Sequence, residues 1–223
     1  WADVPVVARD LVTVDGGRRR EGPPSIKYRG IFLNDEDWGL HPWAKETFAP
    51  EDGYIGPKTY ERVFELLLRL KANLLWPAMH ECTKAFFEFE GNRRLAADYA
   101  IMIGSSHCEP MLRNNVWEWE RWSPPDGRRG EWDWCTNSDQ VVEYWRQRVE
   151  ECAGVDCIYT IGMRGVHDGR MPCRGASSRQ KTEKMQTEVF PAQRRLIAEL
   201  IHPDPAQVPQ IFCPYKEVLD MYN

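Results

Sequence analysis

A chain of 223 residues with 42% apolar and 28% charged side chains is sized for one large domain, or one domain with an appendage, at roughly 150 residues per domain, and its composition is far from that of a disordered chain. Its 29 Lys and Arg against 34 Asp and Glu leave a net charge of −5, which excludes the basic footprint of a general nucleic-acid binder. No apolar run approaches the about 18 residues needed to cross a bilayer. Ten Trp stand out, and an excess of indole fits a large core, an interface or flat platforms for a ligand with apolar faces. Seven Cys, odd in number and without a CxxC pair, indicate neither a zinc ribbon nor a complete disulfide framework, and most are expected to be buried thiols. No signal peptide is readable after Trp1.

In chain order, residues 1–27 read as a lead-in that ends in the breaker-rich stretch Gly16 to Pro24, and 28–223 as the main body. Tyr28 to Leu33 is a short apolar run. Pro57 to Ala72 reads as a helix with Tyr60, Val63, Phe64, Leu67 and Leu68 on one face and Pro57 in its first turn. Leu74-Leu75-Trp76 is strand-like, Arg93 to Tyr99 a short helix, and Ala100 to Ile103 another apolar run. After a polar loop around Pro124 to Gly130, Ser138 is suited to cap a helix in which Val141, Trp145, Val149 and Cys152 recur. Cys157 to Met163 reads as a buried strand. Met185, Val189, Ala192, Leu196 and Leu200 mark a helix that Pro191 must kink or break, and Gln210 to Cys213 is the last strand. Five strand units, each followed by a helical pattern or its first turn, select an α/β fold with a parallel sheet, either doubly wound or a (β/α)8 barrel.

In both architectures the ligand sits at the carboxyl ends of the strands. Those ends carry Asn34-Asp35-Glu36-Asp37-Trp38, His80-Glu81, Ser105-Ser106-His107-Cys108-Glu109, Arg164-Gly165-Val166-His167-Asp168 and Tyr215-Lys216-Glu217. Carboxylates, imidazoles and cations are more than a turn requires. Neither GxGxxG nor GxxxxGK[ST] occurs, so no phosphate-cradling loop is present and the barrel becomes the better reading. A whole barrel takes eight units and roughly 250 residues, so about five units correspond to a partial (β/α)8 TIM barrel, truncated at its C-terminus in the first turn of the fifth helix.

The strings Trp1 to Val6, Arg29 to Gly39 (RGIFLNDEDWG), Ile161 to Gly169 (IGMRGVHDG) and Tyr215 to Val218 (YKEV) resemble glycoside hydrolase family 115, the xylan α-1,2-glucuronidases, over nearly the whole chain. The resemblance implies an inverting hydrolase that removes glucuronic acid or its 4-O-methyl ether from xylan or glucuronoxylo-oligosaccharides. It further implies a (β/α)8 catalytic domain, usually a homodimer, an extracellular setting, and neither metal nor cofactor. By the same resemblance Asp35, Asp168 and Glu217 are the essential carboxylates, and Asn34, His107 and Arg164 contact the sugar.

Inverting hydrolysis needs one carboxyl to protonate the leaving oxygen and a second to activate water, roughly 6.5–9.5 Å apart, a separation that neighbouring strand ends supply. Asp168 is assigned as acid and Glu217 as base, the reverse staying open. Each has a structural alternative: Asp168 as a turn or helix cap, Glu217 as favourable charge at a helix start, Arg164 as the ion-pair partner of Asp168 four residues on. A guanidinium also suits bidentate recognition of a uronate carboxylate. Lys216 is a weaker candidate for that anion, because on a strand it faces away from Glu217. Trp38, Trp43 and Trp76 can stack on a pyranose, although barrel-wall burial suits Trp76 equally. The Trp-rich stretch Trp117 to Trp134 is expected to pack on a neighbouring domain or subunit. Two other functions remain: a non-catalytic carbohydrate-binding remnant, and a metal-dependent hydrolase resting on His107-Cys108-Glu109 with His80 and Cys82.

Overall fold

The computed structural model describes residues 7, 10–18, 20, 22–34 and 37–221, except the side chains at 217, 220 and 221. Asp35 and the Glu217 side chain, two of the expected carboxylates, therefore lie outside the described residues.

Among the described residues five strands form, β1 (Gly30–Phe32), β2 (Leu74–Trp76), β3 (Met102–Ile103), β4 (Tyr159–Ile161) and β5 (Gln210–Phe212). β1, β2 and β3 pair in parallel in that order, and β4 pairs in parallel with β5. A single parallel bridge, Ile103 to Cys157, links the two sets: Ile103 N–H donates to the Asp156 carbonyl and Ile158 N–H to the Ile103 carbonyl, both at 2.9 Å. The strands thus follow one another in chain order with helical crossovers between them, as parallel pairing demands. β2 coincides with its apolar run, and the other four are shorter than theirs. Gly30 shows how tight the pairing is, since a Cβ there would lie 1.9 Å from the Leu74 carbonyl oxygen.

β1 leads into α1 (Leu40–Trp43), which continues as a π turn over Ala44–Phe48, and then α2 (Pro57–Arg69). Pro57 opens α2, and Tyr60, Val63, Phe64 and Leu67 are buried, whereas Leu68 faces solvent. α2 stops short of Ala72 because Lys71 turns left-handed at φ 59°. α3 (Glu90–Asp98) starts three residues before the expected Arg93. α4 (Trp117–Arg121) and α5 (Trp134–Glu151) follow β3. Asp133, not Ser138, caps α5, its Oδ1 accepting from Thr136 N–H at 3.1 Å. Asn137, at φ −150°, interrupts the helix, which resumes at Ser138. After β4 come α6 (Ser178–Lys184), a π turn (Met185–Val189) and α7 (Phe190–Leu200). Pro191 sits in the first turn of α7, so the demanded break is the π turn, where a missing proline N–H costs nothing. A 3-10 turn over Lys216–Met221 closes the described chain.

The Trp-rich stretch does not await a neighbour. Trp119, Trp122, Trp132 and Trp134 are buried in this chain's own core, where Trp119 stacks on Trp122 at 5.1 Å, Trp134 stacks on Trp145 at 5.9 Å, and Trp119 meets Tyr144 edge-on at 5.1 Å. Such pairs add about 0.5–1.5 kcal/mol each beyond burial. Trp119 and Trp122 are near neighbours in sequence, but their meeting with Tyr144 lies only in the fold.

The cysteines also differ from expectation. Cys135 and Cys173 form a disulfide, and of the other five only Cys152 and Cys157 are buried thiols; Cys108 and Cys213 are half-buried and Cys82 is exposed. The bridge ties the start of α5 to the segment after β4, where Trp134 N–H also donates to the Pro172 carbonyl and Arg174 N–H to Asp133 Oδ2.

Candidate active site

The site is built on the end of β4. Gly162, at φ +115°, occupies backbone space that a side chain rarely adopts, and its N–H and C=O are both held by the buried Gln193 amide of α7, at 2.8 and 2.7 Å. Two residues on, the Arg164 carbonyl accepts from Trp132 Nε1 at 2.9 Å and Asn115 Nδ2 at 3.1 Å, and Asn115 Nδ2 reaches the Gly165 carbonyl at 2.7 Å. The chain then folds into a tight turn, Gly165 N–H donating to the Gly169 carbonyl and Gly169 N–H to that of Val166. A Cβ on Gly165 would lie 2.6 Å from the Arg170 carbonyl oxygen, which is the physical reason for glycine there. This turn projects Asp168 from a fixed base.

Asp168 meets two cations. Its Oδ1 accepts from Arg164 Nη2 at 2.9 Å and its Oδ2 from Lys216 Nζ at 2.6 Å. The Asp168 side chain is 51% exposed while the Arg164 side chain is 1% exposed, so one partner is buried scaffold and the carboxylate itself stays open. The Lys216 bond, with help from Arg164, pulls the Asp168 carboxyl down to about 2. Lys216 reaches it because β5 ends at Phe212 and Lys216 opens the 3-10 turn, at φ 41°; the strand alternation that weakened this lysine no longer applies.

His107 completes the cluster, with Nε2 3.8 Å from Asp168 Oδ1 and its ring 4.5 Å from that of Tyr215. Burial, followed by the charge on Arg164, lowers its pKa to about 4. The imidazole is therefore neutral at pH 7, and the contact to Asp168 is not an ion pair. Cys108 is the member that the sequence did not single out on its own. Its sulfur accepts from Arg164 Nη1 at 3.1 Å and lies 3.5 Å from His107 Nε2, and burial pushes the thiol up to about 11. Only its position beside His107 hinted at a place here; Asn115 and Trp132 gave no signal.

Among the described residues, His107, Cys108 and Asp168 are the one group whose ligand atoms lie within 4.8 Å of one another in a pattern able to hold a metal ion. Its electrostatics run against a dication, because the Arg164 guanidinium already faces both the sulfur and Asp168, and Lys216 takes the other oxygen. His80 and Cys82 do not join it. They bond to Asp37, His80 Nδ1 at 2.7 Å from Oδ2 and Cys82 Sγ at 2.8 Å from Oδ1. The Cys82 and His80 bonds hold the Asp37 carboxyl below its usual range, and together they tie the segment after β1 to the segment after β2. Glu109 turns to Asn114 instead, Nδ2 to Oε1 at 3.3 Å.

Of the expected site residues, the structure brings Arg164, Asp168, Lys216 and His107 together. Asn34 and Trp38 are exposed just beyond β1, Trp38 at 83%, free to present an indole face. Trp43 stacks on Phe48 at 4.6 Å. Trp76 leans against Phe32, and a Cβ on Gly104 would lie 2.5 Å from its Nε1, so it packs into the strand ends.

The strand ends of this parallel α/β fold thus gather an open carboxylate, two cations and a neutral imidazole. The model of glycosyl hydrolase family 115 matches residues 21–223, and the chain belongs to that family. Among solved structures it is similar to a family GH115 4-O-methyl-α-glucuronidase, BtGH115A, described as having specificity for decorated arabinogalactans, with 51% identity and a TM-score of 0.81 over 90% of this chain. The chain spans 26% of the length of that enzyme. No curated protein matches it.

Proposed function

We propose that this chain is the first part of a (β/α)8 catalytic domain in a glycoside hydrolase that removes α-linked glucuronic acid, or its 4-O-methyl ether, from a polysaccharide with inversion. The observation that carries the reading is the open Asp168 carboxylate held at a strand end by Arg164 and Lys216, within a chain 51% identical to a 4-O-methyl-α-glucuronidase. Parallel strands succeeding one another in chain order support the barrel. The disulfide supports an extracellular setting, where such bonds persist.

In the reaction, water attacks the anomeric carbon as the glycosidic C–O bond breaks; the water proton passes to one carboxylate and the leaving oxygen takes a proton from the other carboxyl. The sequence reading makes Asp168 the acid, with the reverse open. Its ion pairs favour the reverse: a carboxyl held near 2 is ionised at neutral pH and suits activation of water, which leaves protonation to Glu217. Lys216, being exposed, is better placed than buried Arg164 to meet the uronate carboxylate, and neutral His107 suits sugar hydroxyls. Asp35, Asn34 and Trp38 remain proposals from the family pattern.

The experiment is an assay of free uronic acid released from glucuronoxylan and from uronate-decorated arabinogalactan by the full-length protein. Xylan follows from the sequence resemblance and arabinogalactan from the similarity to BtGH115A, and the ratio of the two rates decides between them. With a glucuronide bearing a good leaving group, Glu217→Gln should recover most of its rate, and Asp168→Asn should recover only with added azide. Recovery by Asp168→Asn alone reverses the two roles. Release of no uronic acid from any substrate, with binding retained, leaves the carbohydrate-binding remnant as the function.

A further inference from the structure

The turn that carries Asp168 has no regular element of its own, yet its base is held by side chains from another part of the chain. Asn115 is 1% exposed, and its single Nδ2 serves the carbonyls of both Arg164 and Gly165, while Trp132 Nε1 serves Arg164 as well. Asn115 is itself fixed by its neighbour: Asn114 N–H donates to Glu118 Oε2 at 2.8 Å, Asn114 Nδ2 to the Met79 carbonyl at 3.1 Å, and Tyr144 Oη to the Asn114 carbonyl at 2.6 Å. A rigid, buried anchor therefore reaches the two residues from which the Arg164 side chain and the Gly165–Gly169 turn depart.

We propose that Asn115, assisted by Trp132, is a positioning residue for the reaction, fixing the Arg164–Gly165 backbone so that Arg164 and Asp168 meet in the geometry the site requires. The proposal rests on the reading of Asp168 as catalytic. Two carbonyl oxygens face the same amide nitrogen, so only a donor fits. Asn115→Asp keeps the shape and places an acceptor against both carbonyls; Trp132→Phe removes one N–H and trims a buried ring, so its unfolding midpoint is read beside its rate.

The test is made in the full-length protein, on an oligosaccharide bearing an α-linked 4-O-methylglucuronic acid. Displacement of a catalytic group by a fraction of an ångström to an ångström costs up to about 100-fold, so Asn115→Asp should lower kcat on the order of 10- to 100-fold and leave KM within about threefold. Trp132→Phe should lower kcat by about threefold with a cooperative unfolding transition intact. In an Asp168→Asn background, neither change should lower the rate further, since there is no carboxylate left to position. Parental kcat in both Asn115→Asp and Trp132→Phe, with Asp168→Asn inactive, overturns the proposal and spares the reading of Asp168. Equal losses with and without the Asp168 carboxylate also overturn it, as the mark of a general structural role. Parental activity of Asp168→Asn overturns the reading of Asp168 itself. If Asn115→Asp does not fold, Trp132→Phe and its double variant with Asp168→Asn decide the matter alone.

Discussion

Two clusters of arginine and carboxylate face different solvents in this chain. Around Glu118, which is 4% exposed, Arg113 Nη1 and Arg148 Nη2 donate to Oε1 at 3.1 and 2.6 Å and Asn114 N–H to Oε2. Arg148 also holds the Leu112 carbonyl and Arg113 that of Tyr144. Burial pushes the Glu118 carboxyl up, but Arg148 and Arg113 outweigh it and hold it ionised below its usual range. Around Asp168 the cation Arg164 is buried and the anion is open. Where both charges are desolvated, the cluster fixes backbone; where only the cation is, the carboxylate stays available to a substrate. The two are joined through Asn114 and Asn115, the first bonded to Glu118 and the second to the Arg164 and Gly165 carbonyls.

The largest effect should separate them. Glu118→Ala leaves two buried guanidinia without their carboxylate and is expected to cost about 3–5 kcal/mol in a denaturant titration, with turnover per folded molecule changed much less than stability. Asp168→Asn should do the opposite: a loss of at least ~10²-fold in rate with about 1 kcal/mol or less in stability, because the amide oxygen still accepts from Arg164. Matching stability losses in the two variants would break the comparison.

That contrast also explains what was legible beforehand. The apolar runs at Leu74–Trp76 and at Ile211 and Phe212 mark strands because parallel strands tend to be apolar on both faces, and the polar residues after them stand where the chain leaves the sheet. Arg164, Asp168, His107 and Lys216 stand in such segments, and it is the family resemblance that implies roles for Asp168, His107 and Arg164. The rest depends on pairs distant in sequence. Cys135 and Cys173 are 38 residues apart, and Asn115 is 49 from Arg164; no local pattern states either. Asp133 carries no clear cap signal because Ser138 stands nearer to the periodic residues, and the pause at Asn137 between them has no apolar signature. The tryptophans misled because a dense aromatic stretch reads alike whether it covers its own helix or another domain.

A smaller effect tests the neutral state of His107. Its pKa is about 4 in the folded chain and about 6.5 unfolded. Between those values the unfolded chain takes up a proton that the folded one refuses, so this group's effect is to lower stability as pH falls from 6.5 to 4 and to leave it unchanged above. His107→Gln should remove that decline. Comparing urea midpoints at pH 7 and pH 4.5, the parent should lose on the order of 1–2 kcal/mol more than the variant. Equal losses would mean that the imidazole is charged in the folded site, and the contact to Asp168 would then be an ion pair.

The smallest effect concerns Lys216, the exposed cation of the open cluster. Its bond is the leading cause that lowers the Asp168 carboxyl, so Lys216→Met should raise the titration midpoint of Asp168 from about 2 toward the ordinary 3.8 without reaching it, since Arg164 remains. A depressed carboxyl contributes stability above its unfolded pKa and loses that contribution as pH falls through its folded one; in the variant the contribution is smaller, and its loss, which starts near the same unfolded pKa of about 3.9 in both proteins, is complete at a higher pH. At neutral pH Asp168 is ionised with or without the lysine, so kcat should hardly move. If Lys216 meets the uronate carboxylate, KM for a charged substrate should rise by about three- to tenfold at low salt and by less at 1 M, where screening acts within about 3 Å. An uncharged sugar analogue should bind both proteins alike. A KM that rises equally for charged and uncharged sugars would assign Lys216 to holding Asp168 alone and return uronate recognition to Arg164 or to residues beyond this chain.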